Sequence, residues 1–229
     1  MLYTLESVRD NLRNREGKRV FYLSPSDRLT PGARDYLREQ KVEILPPPEK
    51  GEYRLLSGAV LHTKPEHMTH LNGEVLVEKT HPRIGFRGAM DTLEAELILC
   101  QLTVPKWRTE LGQVLTLSRQ LLACEVLDKP VPEETLLGLT EQELRSRSHR
   151  PQDYYQQPHF MPEAADGEAI AHLNRCRCAV RRAELAAAHA FTTPEGGCTR
   201  SDILKALNRM SSAVYLMMVQ EKAKGAIDS

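Results

Sequence analysis

The residues best suited to chemistry lie near the C-terminal end. Within residues 173–185 four arginines, Arg175, Arg177, Arg181 and Arg182, accompany Glu184. At about 3.6 residues per turn, Leu173, Cys176, Val180, Ala183 and Ala187 share one stripe, the pattern of a helix packed in a bundle. Arg177, Arg181 and Glu184 then lie together on its shoulder, and Arg175 and Arg182 project from the far side. A following helix over residues 206–215 has Leu207, Met210, Val214 and Met217 on its apolar stripe, with Asn208, Ser211 and Tyr215 beside it. Fixed guanidinium groups next to a carboxylate and an amide can grip and orient an anionic ligand. The same shoulders can also make salt bridges across a bundle or an oligomer interface.

A chain of 229 residues with 41% hydrophobic content can bury one bundle core and still carry an appendage. No apolar run reaches membrane-spanning length, and the first residues alternate charge with apolar side chains, unlike a signal peptide, so a soluble cytoplasmic protein is expected. The 31 basic residues are matched by 31 acidic ones, so no global field favours nucleic acid or a membrane surface. Any anion must therefore be held by a local cluster. The five cysteines are odd in number and lie mostly inside predicted helices, which argues for reduced thiols. Cys176 and Cys178 are too closely spaced on a helix for both sulfurs to reach one metal, and suit small buried positions better.

The N-terminal part predicts a small β-α-β unit. Residues 4–14 read as a short amphipathic helix with Leu5, Val8 and Leu12 on one face, and residues 19–23 as a strand. Thr30 as N-cap and Pro31 in the first helical position start a helix through Ala33, Tyr36 and Leu37. Residues 41–45 form the next strand, and the proline-rich segment 46–51 is a linker. Beyond the loop that follows, a long helix begins at Pro82. Phe86, Ala89, Met90, Leu93, Leu97 and Cys100 face inward, with Arg87, Asp91 and Glu94 on the outward face. Val104-Pro105 breaks it, and another helix runs from about Trp107 to Val126. A shorter one covers residues 133–147. Residues 148–167 show little helical periodicity, and the length and aromatics of this stretch mark a functional loop. The expected fold class is mainly α, an up-and-down bundle of about five helices over residues 51–229 with a small N-terminal α/β extension over residues 1–50.

Several phrases in this order resemble one family. Phe160-Met161-Pro162, His172-Leu173, Arg177-x-x-x-Arg181-Arg182-Ala183-Glu184 and Leu207-Asn208-Arg209-Met210-Ser211 are similar to the C-terminal half of the ATP:cob(I)alamin adenosyltransferases. The phrase from Leu29 to Leu37 resembles the amino-terminal region of the ethanolamine-utilization type, which the propanediol-utilization type lacks. The segment His62-Thr63-Lys64 to Thr69-His70-Leu71, followed by Lys79-Thr80-His81-Pro82-Arg83, is similar to the superfamily's phosphate loop and the basic phrase after it. Here the loop is about two residues shorter and lacks the glycines that let backbone N–H groups approach phosphate.

The resemblance implies transfer of the 5′-deoxyadenosyl group of ATP to the cobalt of reduced cobalamin, giving adenosylcobalamin for ethanolamine or diol utilization. It implies ATP contacts from Thr63, Lys64, Thr69, Lys79, Arg181, Glu184 and Asn208, with Mg2+ on the phosphates. It also implies that Asp91 of one subunit pairs with Arg177 of the next, so that Lys79, Asp91, Arg177 and Arg181 form the catalytic set. Phe160, with Tyr154 and Tyr155, would meet the corrinoid. A homo-oligomer follows, with a trimer favoured and a dimer the second option. A flavoprotein reductase and microcompartment proteins are the implied partners; nucleic acid and membrane are not. Ethanolamine-type enzymes carry a cysteine cluster ahead of the Thr-His-Leu phrase, and this chain has none there. His62, His67 and His70 remain, and no structural iron or zinc site is expected. Ser212 stands where propanediol-type enzymes have an aspartate. Two other classes remain open on the residues alone: a non-catalytic ATP or corrinoid carrier or microcompartment scaffold, and a helical assembly protein whose arginines only join subunits.

Overall fold

The computed structural model describes residues 1–15, 18–47 and 52–225. The chain divides into two compact units, Met1–Lys79 with Val126–Asp128, and Thr80–Glu125 with Lys129–Ser229. The expected boundary after residue 50 falls within the first of these, and residues 48–51 of the expected linker lie outside the described residues.

The first unit begins with β1 (Leu2–Tyr3), α1 (Leu5–Asp10), β2 (Arg13–Arg15), β3 (Lys18–Tyr22), β4 (Arg28–Leu29), α2 (Pro31–Glu39) and β5 (Glu43–Leu45). The predicted β-α-β unit is present: β3 and β5 pair in parallel across α2, with Val20 opposite Glu43 and Tyr22 opposite Leu45. Thr30 caps α2 by accepting the Ala33 amide, with Pro31 in the first turn. The first helix is shorter than its periodicity predicts, because Arg13–Arg15 pair with β3 as an antiparallel edge strand. Val8, Phe21, Ala33, Leu37 and Val42 form the core of this part, and the ring of Tyr3 meets Phe21 edge-on at 5.1 Å. A second sheet follows, built from β6 (Tyr53–Leu55), β7 (Val60–Leu61), β8 (Met68–Asn72) and β9 (Val75–Glu78) in the order β7-β6-β9-β8. Much of the expected phosphate loop is therefore a hairpin. Its turn passes through Gly73 at φ +49°, where a side chain would be strained.

In the second unit the helices are α3 (Pro82–Thr103), α4 (Arg108–Val126), α5 (Glu141–His149), α6 (Pro151–Tyr155), α7 (Gly167–Phe191) and α8 (Ser201–Gly225). Pro82 sits in the first turn of α3, where its missing N–H is harmless, and His81 Nδ1 accepts the Arg83 amide at 3.2 Å. Burial, and then the nearby Arg83 and Arg87 cations, push the His81 pKa down, which keeps its ring a neutral acceptor. Val104-Pro105 stops the helix as expected. Residues 133–140 are not helical. They carry a bridge between Leu136 and Leu139, and α5 begins only where Thr140 and Glu143 form a reciprocal cap. Part of the expected loop at 148–167 is helical, in α6.

Four long helices close a ring, α3–α4–α8–α7, each antiparallel to its neighbours. Arg87 meets Glu125 and Glu94 meets Ser118 between α3 and α4. In the turn just before α4 the Trp107 indole N–H donates to Glu221 of α8 at 2.9 Å, and Phe86 packs edge-on against Phe191 between α3 and α7. The predicted stripes fill the centre: Leu173, Val180, Ala183, Ala187, Leu207, Met210, Val214 and Met217 are fully buried. Burying each large apolar side chain stabilises by about 1.5–3 kcal/mol.

The start of α8 is tied down by Asp202, which accepts the Val131 amide at 3.0 Å and pairs with Arg200. Burial pushes the Asp202 pKa up, but the Arg200 guanidinium and the Val131 and Ile203 amides outweigh it and hold the carboxyl below its usual range. A carboxyl depressed by folding stabilises above its unfolded pKa, and that contribution is lost as pH falls through the folded value. Thermal stability should therefore hold from neutral pH to about pH 5 and fall below about pH 4. Asp202→Asn, followed by thermal melts across this range, should flatten the acid limb; an unchanged limb would clear Asp202 of the effect.

Candidate functional site

The predicted polar shoulders meet along the α7–α8 seam. At one end the Asn208 amide donates to Glu184 at 3.2 Å. At the other, the Arg177 guanidinium lies over the Tyr215 ring, 5.3 Å from its centroid. The two pairings share one antiparallel register, which sets Ser211 opposite Arg181. Arg181 is exposed and, among the described residues, makes no hydrogen bond or ion pair. An uncommitted guanidinium thus sits midway between a carboxylate–amide pair and an aromatic stack, free to take an anionic ligand. Arg182 is exposed too, but Arg175 on the far side is not simply solvated, since it pairs with Glu96 of α3 at 2.7 Å.

Tyr215 organises the aromatic end. His159 stacks on it with centroids 5.7 Å apart and is hydrogen-bonded to the tyrosine oxygen at 2.8 Å and to the His149 carbonyl at 3.1 Å. Phe160 stacks at 6.4 Å, and the Lys222 ammonium lies 5.5 Å from the phenylalanine centroid while also pairing with Asp166. Burial raises the Tyr215 pKa, so the phenol keeps its proton. Phe160 is half-buried against the bundle core, as is Tyr155. Tyr154 is exposed, with its oxygen 3.0 Å from Ser146 and Arg147 over its ring. The roles of His159 and Lys222 escaped sequence reasoning. His159 borders Phe160, and only the fold brings Lys222 to it.

Asp91 is exposed on α3 and makes no ion pair with Arg177 within the chain. The register of α3 on α7, set by Phe86 against Phe191 and by Cys176 donating to the Glu96 carbonyl, separates the two by about two helical turns. Arg87 and Glu94 do not share the outward face expected of them. Glu125, buried on α4, accepts from Arg83 Nε at 2.5 Å and Arg87 Nε at 2.7 Å, and Glu94 pairs with Arg119. Cys176 is buried and Cys178 exposed, on opposite sides of α7.

The remaining predicted residues belong to the first unit. Thr63 and Lys64 are exposed in the bend between β7 and β8, and Thr69 is half-buried in β8. Lys79 is exposed just past β9, its amide donating to the His67 carbonyl at 2.9 Å, which draws Lys79 close to Thr69 at the open end of the hairpin. Among the described residues no group of three His, Cys, Asp or Glu comes together as a metal cage, His62, His67 and His70 included. Among the described residues no helix is long and apolar enough to cross a membrane.

Residues 59–221 match the family described as cobalamin adenosyltransferase, a span that contains both the hairpin and the whole seam. The chain belongs to the cobalamin adenosyltransferase family. Corrinoid adenosyltransferase EutT of Salmonella typhimurium is 32% identical over 95% of this chain and 91% of its own length. The protein of that name from Escherichia coli K12 is 31% identical over the same shares. No solved structure gives a significant match. Family membership sets the anion-gripping seam in the context of a nucleotide and a corrinoid, and the extent of the match to these relatives covers the N-terminal residues as well.

Proposed function

We propose that this chain transfers the 5′-deoxyadenosyl group of ATP to the cobalt of a reduced corrinoid, supplying adenosylcobalamin for ethanolamine or diol utilization. The observation that carries this reading is Arg181, uncommitted between the Glu184–Asn208 pair and the Tyr215 stack and inside the matched segment. In the reaction the electron pair of Co(I) forms the Co–C5′ bond, and the C5′–O bond breaks with its electrons leaving on triphosphate. No protein nucleophile is needed. The protein's work is to hold the ribose carbon in line and stabilise charge on the leaving group. Lys64, Lys79 and Arg181 take the phosphates, with Thr63 and Thr69 beside them, and Glu184 and Asn208 orient the nucleoside.

Glu184 would hold a Mg2+ ion, because Asn208 takes one carboxylate oxygen and, among the described residues, the other is uncommitted. Bound there, Mg2+ would neutralise the polyphosphate. The catalytic segment is residues 51–229, with residues 1–50 appended. Asp91 of one subunit pairs with Arg177 of the next. Support comes from their separation within one chain and from the exposed apolar side chains Ile98, Leu99 and Leu102 on the same helix as Asp91. A trimer is the favoured assembly. The protein works in the cytoplasm beside a microcompartment, with a flavoprotein reductase as electron donor.

Phe160, with Tyr154 and Tyr155, meets the corrinoid, and Phe160 pressed beneath the corrin excludes the lower axial ligand, which eases reduction of Co(II). Phe160→Ala should therefore slow the reaction from Co(II) more than the reaction from prereduced Co(I); equal losses in both assays would contradict the role. A second reading, a non-catalytic carrier, rests on the missing glycines in residues 62–73. Mixing the protein with ATP, Mg2+ and chemically reduced cobalamin and following the Co(I) spectrum separates the two. Turnover supports the enzyme, and binding without turnover supports the carrier.

A further inference from the structure

Away from the seam, a cavity of about 830 Å³ opens between residues 131–145 and the first turns of α8. One wall is apolar, from Leu117, Val131, Leu136 and Leu144. Its charged groups are unevenly matched. Lys205 pairs with Glu141 at 2.5 Å, Asp202 with Arg200, and Glu134 with the Gln120 amide. Glu133, exposed at the rim, and Arg209 and Arg145 are left over. Among the described residues the Nε and Nη1 atoms of Arg209 are buried without a hydrogen-bond partner; Glu141 and Glu184 lie close enough to favour its charge, and Arg145 close enough to oppose it. Among the described residues the Arg145 guanidinium has no partner either. Buried orphan donors are costly, and an anion seated between the two guanidinium groups supplies the missing acceptor.

We infer that this cavity is a second ligand site, one that takes a small organic anion, a carboxylate or phosphate on an apolar body, with its charge between Arg145 and Arg209 and its body on the leucine wall. Arg209 also donates through Nη2 to Asn208, whose amide holds Glu184. Occupancy of the cavity is therefore coupled to the nucleotide end of the seam. That coupling rests on the proposed ATP site, whereas binding in the cavity does not.

The test titrates the full-length protein calorimetrically with phenyl phosphate, benzoate and inorganic phosphate. One of the two aromatic anions should bind at one per chain, and which binds tighter tells phosphate from carboxylate. Inorganic phosphate should bind more weakly, for want of an apolar body. Arg145→Gln, at an exposed position that leaves the fold and basal turnover intact, should weaken binding about tenfold, the size of one lost charged hydrogen bond. Arg209→Gln should remove it, and Arg181→Ala should leave it unchanged. Saturating anion should shift ATP affinity, and ATP should shift anion affinity by the same factor. The site is overturned if neither aromatic anion binds, if Arg145→Gln and Arg209→Gln both bind like the parent, or if Arg181→Ala abolishes binding. Intact anion binding without any ATP binding would leave the cavity standing and sink the proposed function instead.

Discussion

Replacing Arg181 by alanine is expected to slow adenosyl transfer to prereduced corrinoid by about 30- to 1,000-fold, or about 2 to 4 kcal/mol of transition-state stabilisation. The size follows from what Arg181 is asked to do. Charge grows on the departing triphosphate as the C5′–O bond breaks, and a fixed guanidinium acts more strongly on that charge than on the ground state. The structure makes the experiment clean. Arg181 is exposed and, among the described residues, holds no other side chain, so its removal should leave the melting temperature unchanged. The loss should fall mainly on kcat, and Arg181→Lys should recover only part of it, because an ammonium restores charge without the planar fork. Parent rates in Arg181→Ala would take this residue out of the site.

The largest stability effect should come from Glu125. Its carboxylate is fully buried and accepts from both Arg83 and Arg87, whose side chains remain 26% and 20% exposed. Glu125→Gln keeps the shape but leaves two half-buried cations facing a neutral amide. Removing one partner of a buried ion pair costs about 3–5 kcal/mol, and the partial exposure of the arginines points to the lower end. For a domain of this size about 3 kcal/mol corresponds to a fall in Tm of about 6–12 °C. Denaturant titration of the two proteins checks it. A loss below about 1 kcal/mol would mean that water takes over from the missing charge.

Glu125 also shows where the sequence stops being readable. It follows Leu111, Val114, Ser118 and Leu121 on the buried stripe of α4, and a charge at such a position reads as a helix turning to solvent. Only the arrival of two arginines from α3 makes its burial tolerable, and that is a tertiary fact. By contrast, the stripes of α3, α7 and α8 were legible, because periodic apolar residues in helices with clear stops allow few other solutions. The Thr30-Pro31 start of α2 was legible for the same local reasons. The β8–β9 hairpin was obscured by its likeness to a phosphate loop, although Val75–Glu78 has strand-forming residues. On the seam, the shoulder residues could be placed from spacing alone. The stacking of His159, Phe160 and Arg177 around Tyr215 could not, since it depends on how residues 156–166 return to the bundle.

The connection between α7 and α8 is short and firmly closed: Thr199 donates its amide to the Phe191 carbonyl at 2.9 Å, and Thr193 donates to Gly197 at 2.8 Å. Its length works like a ruler. Every rung from Arg177–Tyr215 to Glu184–Asn208 is indexed from this hairpin, so adding one residue there would rotate one helix by about 100° against the other and misalign the whole ladder at once. Exchanging the exposed Glu195 at its tip would leave the spacing alone. Tolerance to altered letters and intolerance to altered length should thus coexist within the same few residues.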